Sequence, residues 1–177
     1  MSTADTHELD VEQQYKGPPA SMAERAEQRR RHLLSQNTET FDVPGYIGIL
    51  RVEYRAMDYK ELRKIAARHQ RVKDDADQEL YIAADTLIAA SENSFEVLPG
   101  EKEGEERVRE LGLTWGLSLA RELGVTTPGD TARQAVFAVF PQKTWLTQHY
   151  TDYTDWLRGI GVQVDEEQSA EFRSDPT

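Results

Sequence analysis

The chain has 177 residues, with 32 Asp and Glu against 21 Lys and Arg and a formal net charge of -11, an excess of acid that opposes adhesion to nucleic-acid backbones or anionic membrane surfaces. It contains no cysteine, which excludes disulfides, thiolate metal sites and cysteine nucleophiles. Its length suits one domain with its own core, and its mean hydropathy of -0.70 leaves room for polar segments beside that core.

Residues 1–37 are polar, Gly17-Pro18-Pro19 breaks any continuous element, and the stretch reads as a mostly disordered segment. Met22 to Leu34 is its exception, with the propensity for a helix that forms transiently or against a partner. Arg29-Arg30-Arg31 sits there among acidic neighbours and reads as a solvated helix face, too small for a nucleic-acid footprint. From Thr40 to Arg55 the apolar residues Phe41, Val43, Ile47, Ile49, Val52 and Tyr54 follow a period of two around Pro44-Gly45, predicting a short β-hairpin. Two strands alone are marginal in water, so the hairpin packs on a helix or pairs with another subunit.

Asp58 and Glu61 have the spacing of a capping box, which predicts a helix start. Leu62, Ile65, Ala66, His69, Val72, Ala76, Leu80, Ala83, Ala84, Leu87 and Ile88 then hold one helical phase, as one long helix or two nearly collinear ones. Asp74, Asp75 and Asp77 are the natural break, because Asp competes for backbone amides. Phe95 to Leu98 reads as a third short strand, and Pro99 to Glu106 as a charged loop. A helix over Thr114 to Leu123 closes at Gly124. Thr127, Pro128 and Asp130 have the chemistry of a helix start for a helix that buries Ala132, Ala135, Val136, Val139 and Phe140. After Pro141, an aromatic stripe runs down a final helix ended by Gly159. These elements predict a mainly α fold: a small helical domain over 38–160 with a short N-terminal β-hairpin, between disordered tails at 1–37 and 161–177.

No constellation of catalytic residues is assembled in this order. His7, His32, His69 and His149 lack a second histidine at ligand spacing, so no metal site is expected; His69 and His149 read as core or boundary residues. The run Asp74 to Glu79 has Leu80 where a calcium loop needs glycine. No phosphate-cradling glycine loop or glycine-x-serine-x-glycine elbow is present, and Asp85 reads as an exposed helix flank without a partner. The expectation is a non-enzymatic chain without catalytic residues or cofactor. Its candidate partner-binding residues are Trp145, His149, Tyr150, Tyr153 and Trp156, which either pack into the core or fill a partner's groove.

The segments Phe41-Asp42-Val43-Pro44-Gly45, Tyr54-Arg55-Ala56-Met57-Asp58-Tyr59-Lys60-Glu61-Leu62, Glu79-Leu80-Tyr81-Ile82-Ala83-Ala84-Asp85-Thr86-Leu87-Ile88-Ala89-Ala90 and Thr131-Ala132-Arg133-Gln134-Ala135-Val136-Phe137-Ala138-Val139-Phe140, followed by the aromatic helix, resemble the tail assembly chaperones of long-tailed, siphovirus-type bacteriophages, particularly those of actinobacteria. The resemblance covers the chain from about Thr40 to Gly159. It implies a non-enzymatic factor of the host cell cytoplasm, absent from the mature virion, that binds the tape measure protein and helps recruit tail tube subunits while the tail is built. In many such phages a ribosomal frameshift adds a C-terminal extension that recruits the tube subunit, and the acidic C-terminus suits such an extension. A structural virion protein, such as a head-tail connector or minor tail protein, fits the same size and acidity.

Overall fold

The computed structural model describes residues 21–173; the disorder expected for 1–20 and 174–177 lies outside the described residues. Helix α1 spans Met22–Ser35, followed by strands β1 (Thr38–Asp42) and β2 (Leu50–Arg55) and helices α2 (Tyr59–Arg68) and α3 (Asp75–Ala90). Strands β3 (Ser91–Pro99) and β4 (Glu106–Glu110) come next, then α4 (Leu117–Glu122), α5 (Ala132–Val139) and α6 (Lys143–Arg173).

The four strands form one sheet in the order β1-β2-β3-β4, every neighbour antiparallel. This corrects the expectation of a mainly α fold with a short hairpin: the architecture is α+β, helices packed on a four-stranded antiparallel sheet. The hairpin β1-β2 was legible in Phe41, Val52 and Tyr54, but Ile47 and Ile49, read on the same alternation, lie in the exposed connection between the strands, and the buried face of β2 is Leu50, Val52 and Tyr54. Strand β4 is Glu-Arg-Val-Arg-Glu, exposed at every position, and carries no inward apolar stripe. Its ladder to β3, from Phe95 opposite Glu110 to Pro99 opposite Glu106, makes it a strand, and backbone pairing leaves little trace in side-chain pattern.

The stretch read as one long helix or two is two. Asp58 caps α2 through the expected box with Glu61, and Asp74 caps α3 by accepting from the amides of Ala76 and Asp77. Between them the Gln78 side chain donates to the His69 carbonyl at 2.8 Å, tying the corner. Helix α5 starts from Thr131, not Thr127, because Thr131 forms a reciprocal cap with Gln134. Helix α6 does not end at Gly159. Gly159 keeps a helical backbone instead of turning left-handed, and the helix continues to Arg173, through the first part of the segment expected to be disordered. Helix α1 likewise folds within the N-terminal segment, started by a Ser21 and Glu24 capping box.

The core lies between the sheet and α3, α5 and α6. Leu50, Val52 and Tyr54 supply it from β2, Ala83, Ala84, Leu87 and Ala90 from α3, Val136 and Val139 from α5, and Leu146 and Tyr153 from α6. The alanines of α3 allow its backbone to approach its neighbours closely, and each large aliphatic group buried here contributes about 1.5–3 kcal/mol. The β1-β2 connection is clamped onto this body. Pro44 and Gly45, with φ of 84° at Gly45 and a Tyr46 amide donating to the Val43 carbonyl at 2.8 Å, have the pattern of a type II turn. A Cβ at Gly45 would collide with the Trp145 ring, so glycine is required there both by conformation and by space.

Candidate functional site

The aromatic stripe of α6 divides when the helix docks. His149 and Tyr153 have no solvent exposure, whereas Trp145, Tyr150 and Trp156 are half-buried. Trp145 lies under the Gly45 turn. Trp156 packs edge-on against Phe41 at 5.9 Å between centroids and leans on Tyr153. Tyr150 alone among the five lines an open groove. The five side chains therefore do not share one accessible surface.

His149 belongs to a buried polar hub. The Trp115 indole donates to the Tyr54 hydroxyl at 2.5 Å, and that hydroxyl lies 2.6 Å from His149 Nε2. The direction of the bond between the Tyr54 hydroxyl and Nε2 follows the imidazole tautomer, since the hydroxyl can donate to Nε2 or accept from it. Nδ1 meets no hydrogen-bonding partner among the described residues, and neither do the buried Thr86 and Ser94 hydroxyls. Burial drives the His149 pKa down to about 3, so the ring is neutral near pH 7, and burial pushes the Tyr54 hydroxyl up. A neutral imidazole sealed from solvent is a packing element, without the access a proton-transfer group needs. Tyr153 is fixed similarly, its hydroxyl donating to the Arg55 carbonyl at 2.9 Å.

A second polar cluster joins α2, α3 and α5, and it gives Asp85 the partners its sequence neighbours do not. Arg133 donates to both Asp85 oxygens, at 2.8 and 2.6 Å, while His69 Nε2 lies 2.7 Å from Asp85 Oδ2. Burial by itself raises the Asp85 pKa, and the hydrogen bonds from Arg133 and His69 outweigh it, holding the carboxyl below its ordinary value. The guanidinium also covers the Tyr81 ring, 5.1 Å from its centroid. Both carboxylate oxygens face protein groups, Oδ1 one and Oδ2 two, so the cluster is a clasp between helices.

An open concave feature among the described residues is a groove of about 630 Å³ between α1, the start of α2 and α6. Leu33 and Leu34 form one wall, Leu62 another, and Tyr150, Leu157 and Ile160 the third. Asp58 and Arg158 sit at its margin, and both are engaged locally: Asp58 caps α2 by accepting the Glu61 amide at 2.8 Å, and Arg158 pairs with Asp155. Thr154, also on the lining, donates to the Thr151 carbonyl at 3.0 Å. The groove thus presents apolar contact area, with Asp58, Thr154 and Arg158 engaged locally and Arg30, Tyr59 and Tyr150 adding polar groups to its lining, which suits binding of an amphipathic helix face.

Sequence reading missed this groove because its walls come from elements separated by more than a hundred positions. A local signal existed in Leu33-Leu34, an apolar pair closing an otherwise charged helix, and in Leu62, which shares a helical face with Ile65 yet is only partly covered while Ile65 is buried. Among the described residues no group of His, Asp and Glu has the arrangement to hold a metal ion, and no helix is long and apolar enough to cross a membrane. The chain matches no family model, no curated protein and no solved structure.

Proposed function

We propose that this chain is a bacteriophage tail assembly chaperone, a non-enzymatic protein whose groove between α1, α2 and α6 holds an apolar helical stretch of the tape measure protein during tail morphogenesis. The observation that carries the reading is the groove: about 630 Å³ of open space walled by Leu33, Leu34, Leu62, Leu157 and Ile160, which the chain's own side chains leave unfilled. An amphipathic helix placing residues at i, i+3, i+4 and i+7 into such a groove buries its apolar face without any chemical step. The sequence resemblance over Thr40 to Gly159 supplies the biological setting, and the acidic surface supplies solubility to a client that is long, helical and prone to aggregate.

In this reading the protein acts in the host cell cytoplasm, helps bring tail tube subunits to the growing tail, and is left out of the mature virion. Mass action explains its effect on the client, since a partner that binds the dispersed form withdraws it from aggregation. The test is co-expression with the tape measure protein of the same genome. The expected outcome is a soluble client that co-purifies with this chain while purified virions lack it. An insoluble, unbound client, with this chain found in the particles, replaces the proposal with a structural virion role such as a head-tail connector or minor tail protein.

A further inference from the structure

We propose a second interaction surface at the N-terminal end of α6, around the tip of the β1-β2 hairpin, which takes a short apolar protein segment flanked by lysine or arginine. Ile47 is 74% exposed and Ile49 is 55% exposed at this tip. Ile49 continues into a cleft of about 270 Å³ with Leu111, Leu123, Glu96 and Glu122. Trp145 marks this end of α6 under the Gly45 turn, and the cleft shares no lining residue with the groove. The two surfaces are distinct, and this one does not depend on the proposed use of the groove.

The tip is held in one shape. The Trp145 ring leaves no space for a side chain at Gly45, Tyr46 Oη donates to the Val139 carbonyl at 2.6 Å, and the Ile49 and Leu50 amides both donate to the Tyr46 carbonyl at 2.9 Å. Gly48, with φ of 76°, completes this second turn. Two large aliphatic side chains are therefore presented on a rigid support, so a partner meets them without a large ordering penalty. Isolated exposed apolar residues are ordinary, but a preformed pair continuous with an apolar cleft is the anatomy of a contact site.

The charges around the cleft name the partner's chemistry. Arg109 is the shared cation of two carboxylates, 2.6 Å from Glu96 and 3.8 Å from Glu122. The same sheet repeats the arrangement, Arg51 lying between Asp42 at 2.8 Å and Glu106 at 2.7 Å. Each arginine leaves one negative charge uncompensated, on a chain whose formal net charge is -11. A second copy of this acidic chain meets like charge, whereas an apolar segment with flanking cations gains attraction as well as burial.

The test uses methyl NMR spectra of the full chain titrated with two synthetic peptides, one with a Leu-Ile-Leu centre flanked by lysines and one with glutamates in their place. The lysine peptide is expected to shift the Ile47, Ile49, Leu111 and Leu123 signals saturably, and the glutamate peptide to leave them unmoved. Glu122→Gln should weaken the lysine peptide roughly fivefold, the scale of one lost surface charge pair. Ile47→Ser with Ile49→Ser, both at exposed positions, should abolish the response at Leu111 and Leu123 while the remaining spectrum stays native. No shift with either peptide, equal shifts with both, or shifts confined to Leu62 and Leu157 overturn the proposal. Shifts at the tip that follow the chain's own concentration, with a doubled mass, also overturn it by seating a second copy there.

Discussion

The two faces of helix α6 differ in how they are covered. His149 and Tyr153 face the sheet, without solvent exposure and hydrogen-bonded to Tyr54 and Arg55. Tyr150 and Leu157 face α1 and α2 across the open groove. One amphipathic stripe thus divides between a packed side and a groove-lining side, and the docking of the helix decides which residues go to each. A wide aromatic face is consistent with packing and with binding, and only the position of β2 and α1 around it separates the two.

The sharpest way to break this contrast is a carboxylate placed on either side. Tyr153→Asp buries an unpaired charge and removes the hydrogen bond to Arg55, which should remove about 4 kcal/mol or more and leave no cooperative near-UV circular dichroism transition. A well-folded Tyr153→Asp protein would show that the sheet-facing side is no more a core than the groove side. The helix layer behind the packed side gives the next effect. Asp85→Ala strands Arg133 and His69 and should lower stability by about 2–3 kcal/mol in urea unfolding, while Asp85→Ala with Arg133→Met should recover part of that loss.

Acid distinguishes the two sides without mutation. The folded His149 pKa, near 3, lies below the unfolded value of 6.5. Above pH 6.5 both states are neutral at this residue and it adds no pH dependence. Between about 6.5 and 3 the unfolded chain binds the proton that the folded chain refuses, so stability should fall as pH falls, by up to about 1.4 kcal/mol per unit. Asp85 acts lower: its depressed pKa stabilises the fold above the unfolded carboxyl value and that contribution is lost below it. The His149 contribution therefore falls largely between pH 6.5 and 4.5, and His149→Leu should flatten the slope there. An unchanged slope would place its origin elsewhere.

The smallest stability effect is expected at the groove. Leu62→Ser and Leu157→Ser alter partly covered side chains and should each lower stability by about 1 kcal/mol. Client co-purification should nevertheless fall strongly in both. Large destabilisation without a specific binding defect would make these residues ordinary core and erase the contrast between the two faces.

Much of the frame was legible in the sequence because local rules wrote it. The alternation in β2, the Asp58 to Glu61 box and the Asp74 cap each act within a few residues, and each was readable as such. Strand β4 was not, since it is an all-exposed edge with Val108 as its one apolar residue among four charged ones, held by its ladder to β3. Gly159 reads as the end of the final helix in the sequence, yet α6 runs through it to Arg173, tolerating glycine at about 1 kcal/mol relative to alanine. Asp85 acquired its partner 48 positions away in Arg133, beyond any local pattern. The groove was hidden for the same reason: Leu33, Leu62 and Leu157 belong to one site only after the chain has folded.

The most direct measurement is hydrogen-deuterium exchange of this chain alone and in complex with the tape measure protein. The account predicts new protection on α1 around Leu33 and Leu34, at the start of α2 and on α6 from Tyr150 to Ile160, with β2 and α3 unchanged. Protection elsewhere in a complex that demonstrably forms, with those segments unaltered, would contradict the groove as the client site.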